Sequence, residues 1–217
     1  MEPKENCALI IVNLGTPDGP DEESIRRFLK QFLSDPRVVD FPRWLWLPIL
    51  NGIILKSRPK RLVEDYSSIW GDSAGPIVEI TFSLAKKLQT VLPFEIKVIT
   101  AMTYGNPSIK DAMKEAKGFD HIMVLPMFPQ YAGATTGAIE DQINASKHEL
   151  SVNKPIRVIR DYHDEPSYIK AVSNTIRDPE RFLNIDSLLV FSFHGIPQSQ
   201  SKRGDPYQDQ CKKTATL

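Results

Sequence analysis

Ala8-Leu9-Ile10-Ile11-Val12, running on into Asn13-Leu14-Gly15-Thr16-Pro17, is the stretch on which the fold turns. An unbroken apolar run this short, closed by a Gly/Pro turn, reads as a β-strand buried on both faces. Beyond the turn the period changes. Ile25, Phe28, Leu29, Phe32 and Leu33 recur at three- and four-residue spacing, the stripe of an amphipathic helix.

The alternation continues along the chain. Further strands are expected at Ile96–Met102, His121–Leu125, Ile156–Ile159 and Ser187–Phe193. Helices are expected from Pro76 to Val91 and over 107–117, 134–150 and 166–177. Gly75-Pro76 and Asn106-Pro107 each place a cap residue before a proline in the first turn. Strands alternating with helices pair in parallel through right-handed crossovers, which predicts an α/β fold built on a doubly wound parallel sheet. The chain stops at Leu217 inside a helix that begins near Pro206, so a piece of a longer protein is expected.

Composition narrows the function. The 217 residues carry 27 basic and 27 acidic side chains, with 41% apolar and 25% charged residues overall. A balanced charge gives no net field to draw in nucleic acid. Cys7 and Cys211 are too few for a disulfide framework or a four-thiolate metal site, and a reducing cytoplasm is the simpler reading. The apolar stretch Trp44–Leu55 contains Pro48 and Gly52 and is too short to span a bilayer.

In open parallel sheets, ligands bind beyond the carboxyl ends of the strands. The residues there are Asn13–Pro17, Thr103–Pro107, Met127–Tyr131, Tyr162–Asp164 and His194–Pro197, rich in aromatics, Gly and Pro and poor in charge. That suits a large, flat, apolar ligand better than a phosphate. Neither a P-loop nor a three-glycine dinucleotide turn occurs, and Pro17 removes a backbone donor from the first turn. Gly71-Asp72-Ser73-Ala74-Gly75-Pro76 looks like the nucleophile segment of trypsin-like proteases. Those enzymes are all-β and carry the base histidine N-terminal to the serine, whereas all four histidines here follow Ser73. The segment reads instead as a turn leading into a helix.

Ser192-Phe193-His194-Gly195-Ile196-Pro197 resembles the signature of the ferrochelatases, enzymes that insert ferrous iron into protoporphyrin. Val12–Pro17, Ala101–Ser108, Leu125–Tyr131, Thr135-Thr136-Gly137 and Gly204–Tyr207 are similar to further blocks of that family, in the same order. The likeness extends over essentially the whole chain, as the N-terminal two-thirds of a bacterial-type member.

This resemblance implies a chelatase-like fold with a first Rossmann-like domain over 1–170 and a second, starting at 171–217 and largely missing. The missing part would supply one cleft wall and a glutamate facing the histidine. Residues 41–60 would form a hydrophobic lip over the porphyrin. His194 would be the catalytic group and a metal ligand, since a neutral imidazole can accept a pyrrole proton or ligate iron; either role stays open. Leu14, Trp46, Ile53, Arg58, Tyr104, Tyr131 and Thr135 would contact the macrocycle, with Lys56, Arg58 and Lys60 facing its propionates. His163 is a weaker second candidate. Where Thr103 stands, some members carry a basic residue.

The implied partners are protoporphyrin IX and ferrous iron, the latter as substrate. No permanently bound cofactor is expected, nor an iron–sulfur cluster from this segment. Peripheral contact with the inner membrane through Trp44–Leu55 is expected of a cytoplasmic enzyme with such poorly soluble ligands. Related chelatases act on coproporphyrin or sirohydrochlorin, whose extra carboxylates call for more Arg and Lys than this lip carries. An inactive porphyrin-binding fragment is the other alternative.

Overall fold

The computed structural model describes residues 6–71, 74–176 and 189–217. Strand β1 (Cys7–Asn13) is central, because its apolar run tolerates burial on both faces. It pairs in parallel with β2 (Ile96–Met102) on one side and β3 (His121–Pro126) on the other, and β3 pairs with β4 (Ile156–Val158). The order is β2-β1-β3-β4. Pairing of Asn13 with Met102 and of Val12 with Pro126 brings the carboxyl ends of the three strands level along one edge.

Helix α1 (Glu22–Ser34) is capped by Asp21, whose carboxylate accepts from Glu23 N and Ser24 N. α2 (Arg43–Ile49), a π-helical turn (Leu50–Ile54) and α3 (Leu55–Ile69) follow as one helical run. The widened turn lets the run pass Pro48 and Gly52 without ending. α4 (Pro76–Val91) starts at Gly75-Pro76 as expected, and lies against β1 and β2. α5 (Ile109–Ala116), α6 (Ala138–Glu149) and α7 (Pro166–Ile176) follow. The short α8 (Gln198–Lys202) and α9 (Tyr207–Thr216) close the described chain.

Side chains alternate across β1. Ala8, Ile10 and Val12 pack with Ile109, Ala112 and Met113 of α5 and with Ile139 and Ile143 of α6. Asn13, on the other face, donates from Nδ2 to Thr81 Oγ1 of α4 at 3.0 Å. Helices therefore cover both faces, the doubly wound arrangement read from the alternation. A second apolar cluster joins Ile25, Phe28, Leu29 and Leu33 of α1 to Leu50, Leu55 and Tyr104.

Two expectations are corrected. Leu189–Phe193 forms no strand, and Ser187 lies outside the described residues. A strand needs a ladder partner, and among the described residues this segment has none; Leu189, Phe191 and Phe193 border a hollow shared with Tyr168, Val172 and Ile176. Helix α5 is capped by Ser108 instead of Asn106. Ser108 Oγ accepts from Asp111 N, and the Asp111 carboxylate accepts from Ser108 N, a reciprocal pair that satisfies both ends. Asn106 is engaged elsewhere, donating to Asp18 Oδ1 at 2.8 Å.

Candidate functional site

The turns after β1 and β2 interlock. Asn13 O accepts from Thr103 N (2.8 Å) and Thr103 Oγ1 (3.1 Å), and Leu14 O accepts from Tyr104 N (2.9 Å). The backbones approach so closely that only glycine fits on either side. Gly15 has φ +97°, and a Cβ there would sit 1.7 Å from Tyr104 O; Gly105 has φ +87°, and a Cβ would sit 2.5 Å from Thr16 O. This knot fixes Leu14 at the carboxyl edge of the sheet. After β3, Met127 N donates to Val12 O (2.7 Å), and Pro129 O accepts from Tyr162 N (2.9 Å). The Phe128–Ala132 loop is thereby tied to the same edge.

Above that edge lies an apolar cleft of about 390 Å³. Leu14, Phe32 and Val38 line it from the first part of the chain, Phe128–Gln130, Ala132, Ala134 and Thr135 from the segment after β3. His194–Pro197, Gln200 and Tyr207 contribute the rest. The volume falls within the roughly 300–1,000 Å³ of small-molecule sites. Helix α9 is fastened to the same loops: Gln210 Oε1 accepts from Tyr131 N (2.6 Å), Gln130 Nε2 donates to Thr214 Oγ1 (3.0 Å), and Thr214 Oγ1 donates to His163 O (2.8 Å). Burial beside Cys211 pushes the Tyr207 phenol up to about 12, so it stays a neutral donor at the cleft border.

Of the residues expected to contact a macrocycle, Leu14, Thr135 and His194 meet in this cleft. Tyr104 does not. It is 1% exposed, packs edge-on against Phe32, and donates its hydroxyl to Asp35 Oδ2 at 2.8 Å. Burial, reinforced by the Asp35 carboxylate, raises its phenol well above the usual range. It supports the wall from behind without lining it. Tyr131 faces a neighbouring polar hollow with Arg37 and Arg203, its ring under the Arg160 guanidinium at 4.5 Å.

The lip residues diverge. Trp46 is half-buried and donates Nε1–H to Leu33 O at 2.7 Å, so it anchors α2 to α1. Trp44 and Ile53 are 76% and 63% exposed. Lys56, Arg58 and Lys60 lie exposed on α3. Thr103 is buried, its hydroxyl spent on Asn13 O. Phe32, Val38, Gln200 and Tyr207 were not named as contacts by the sequence reading. Phe32 was visible only as part of the α1 stripe, and Tyr207 stood within a recognised block.

Among the described residues, Asp161, His163 and Asp164 form a cluster whose donor atoms all lie within 4.8 Å of one another. His163 Nδ1 lies 2.8 Å from Asp161 Oδ1, and Lys213 pairs with Asp164. That ammonium, first, holds the Asp164 carboxyl below its ordinary range. The Lys213–Asp164 pair ties the cluster to α9.

The structure thus sets an apolar cleft, bordered by an exposed imidazole and by little charge, at the carboxyl edge of a parallel α/β sheet. The chain belongs to the ferrochelatase family, whose profile it matches over residues 6–217. It is 44% identical over 215 residues to the ferrochelatase of Psychrobacter cryohalolentis, covering 96% of this chain and 63% of that protein. The Nitrosomonas europaea ferrochelatase is 41% identical, covering 96% and 59% respectively. The Vibrio parahaemolyticus ferrochelatase is 40% identical, covering 100% and 68%. This chain therefore spans 59–68% of the length of these relatives.

Proposed function

We propose that this chain is the porphyrin-holding, N-terminal two-thirds of a ferrochelatase, a lyase of haem biosynthesis that inserts ferrous iron into protoporphyrin IX, with residues 171–217 opening its second domain. The observation that carries the reading is the imidazole of His194 on the rim of a cleft otherwise walled by Leu14, Phe32, Val38, Phe128 and Ile196. Apolar walls gain from covering both faces of a macrocycle, at roughly 25 cal/mol per Å² of apolar surface removed from water. A neutral imidazole then offers one nitrogen lone pair, able to take a pyrrole proton or to ligate entering iron. Thr135 and Leu14 are the proposed wall contacts nearest the chemistry. Ile53, with Trp44, forms the outer lip, where Arg58 meets propionates and the apolar side chains rest on a membrane surface from the cytoplasmic side.

Protoporphyrin fits these walls better than more carboxylated tetrapyrroles. The arginines of the adjoining polar hollow are already committed: Arg37 makes two bonds to Asp141, at 2.5 and 2.9 Å, and Arg203 pairs with Asp40. Zinc insertion into protoporphyrin, followed by zinc-porphyrin fluorescence, tests the reading with His194→Ala as comparison. Turnover by the chain, lost in the variant, is the expected result. Equal turnover by both proteins, or tighter binding of coproporphyrin than of protoporphyrin, would overturn it.

A further inference from the structure

The Asp205 carboxylate bridges two parts of the cleft that are far apart in sequence. Its Oδ2 accepts from Gly133 N at 2.7 Å, and its Oδ1 accepts from Tyr207 N at 3.0 Å. Gly133 opens the π-helical turn Gly133–Gly137, which carries the cleft residues Ala134 and Thr135. Tyr207 opens α9 and lines the same cleft. An anion set between two helical N-termini answers unpaired N–H groups on both, and such charge-assisted bonds are stronger than neutral ones.

The geometry continues toward His194. Asp205 N donates to Gln200 O (3.2 Å) across Gly204, whose φ of +94° turns the chain back. Gln200 belongs to α8, only a few residues beyond His194. Two ties hold this strap independently of the carboxylate: Arg203 pairs with Asp40, and Gln210 accepts from Tyr131 N. Losing the Asp205 side chain should therefore loosen the cleft without undocking α9.

We propose that Asp205 is a positioning residue, which sets the spacing between the Ala134–Thr135 wall and the segment bearing His194 and Tyr207. The inference rests on the reading of this cleft as a porphyrin site. Two variants test it, Asp205→Ala and Asp205→Asn, with protoporphyrin binding read by fluorescence, amide exchange read at Gly133, and melting temperature as the control for folding. Asp205→Ala is expected to speed exchange at Gly133 and to weaken protoporphyrin binding about ten-fold, through lost pre-organisation. Its melting temperature should fall by only a few degrees. Asp205→Asn keeps a carbonyl oxygen able to accept one of the two N–H groups, and should recover binding to within about three-fold. Unchanged affinity in Asp205→Ala, or weakening that merely tracks melting temperature in both variants, overturns the positioning role. Failure of the unaltered chain to bind protoporphyrin, with Gly133 protected as expected, overturns the functional reading and the role with it.

Discussion

Replacing Gly15 by alanine attacks the knot on which the cleft is built. The new Cβ would lie 1.7 Å from Tyr104 O and 2.9 Å from Tyr104 C, both backbone atoms, at a φ of +97° that L side chains rarely adopt. The positive φ alone costs about 1–2 kcal/mol. Relieving the clash means separating the two turns, which breaks the Tyr104 N–Leu14 O and Thr103 N–Asn13 O bonds; buried as they are, each is worth about 1 kcal/mol. The total is about 3–4 kcal/mol, a large part of the roughly 5–15 kcal/mol that holds a domain folded. For a chain of this size that is a melting temperature lower by roughly 6–16 °C. Urea and thermal unfolding measure it, with Gly118→Ala as the control, since a Cβ at Gly118 meets nothing within 4 Å. If Gly15→Ala unfolds within about 1 kcal/mol of the unaltered chain, the close approach does not hold the turns and the reasoning fails.

Other consequences can be measured on the same preparation. Tyr104→Phe leaves the Asp35 carboxylate without its 2.8 Å donor, and should cost about 1–3 kcal/mol in urea while changing protoporphyrin affinity less than two-fold; a large loss of affinity would return Tyr104 to the cleft wall. Gln89 acts as a false strand at the edge of β2 that pairs with no strand among the described residues, its Nε2 donating to Ile96 O and its Oε1 accepting from Val98 N, both at 2.8 Å. Gln89→Ala should therefore cost about 1–2 kcal/mol and raise self-association in sedimentation, since an open edge invites pairing; an unchanged monomer fraction would argue against this. Tyr162 and Tyr207 ionise near 12 in the folded chain, through burial first, against about 10 when unfolded. Their folded pKa is the higher, so the stability they contribute is present below about pH 10 and is lost as pH rises toward 12. Alkaline unfolding curves should flatten in Tyr162→Phe, and an identical slope would contradict the assignment.

The sheet was legible because β1 is a continuous apolar run and the further strands, mostly apolar, alternate with helix-period segments, a pattern that points to parallel pairing with both faces covered. Each of β1 to β4 falls within a residue or so of where periodicity puts it. Local chemistry was less decisive where two residues competed for one role. Asn106 and Ser108 are both good caps, and the choice depended on Asp18 standing near Asn106, a contact 88 positions away in sequence. Leu189–Phe193 has strand composition, but strand formation needs a neighbour that composition does not report. The same holds for the site. Leu14, Thr135 and His194 were legible as candidates because they stand in recognisable sequence blocks, and of the three only Leu14 directly follows a strand. Tyr104 stands at a strand end too, and its hydroxyl was drawn inward by Asp35, 69 residues earlier. Trp46 likewise spends its polar edge on a carbonyl of α1.

The central claim is that the apolar cleft at the carboxyl edge of the sheet receives the macrocycle. Ala134 lines that cleft from the π-helical turn, and Ala134→Trp would fill it while leaving His194 and every strand residue unaltered in sequence. Protoporphyrin titration of the two proteins, followed by fluorescence, is the most direct measurement. The account predicts that binding by the variant falls at least ten-fold while its melting temperature stays close to that of the unaltered chain. Equal affinity in the two proteins would mean that the macrocycle binds elsewhere.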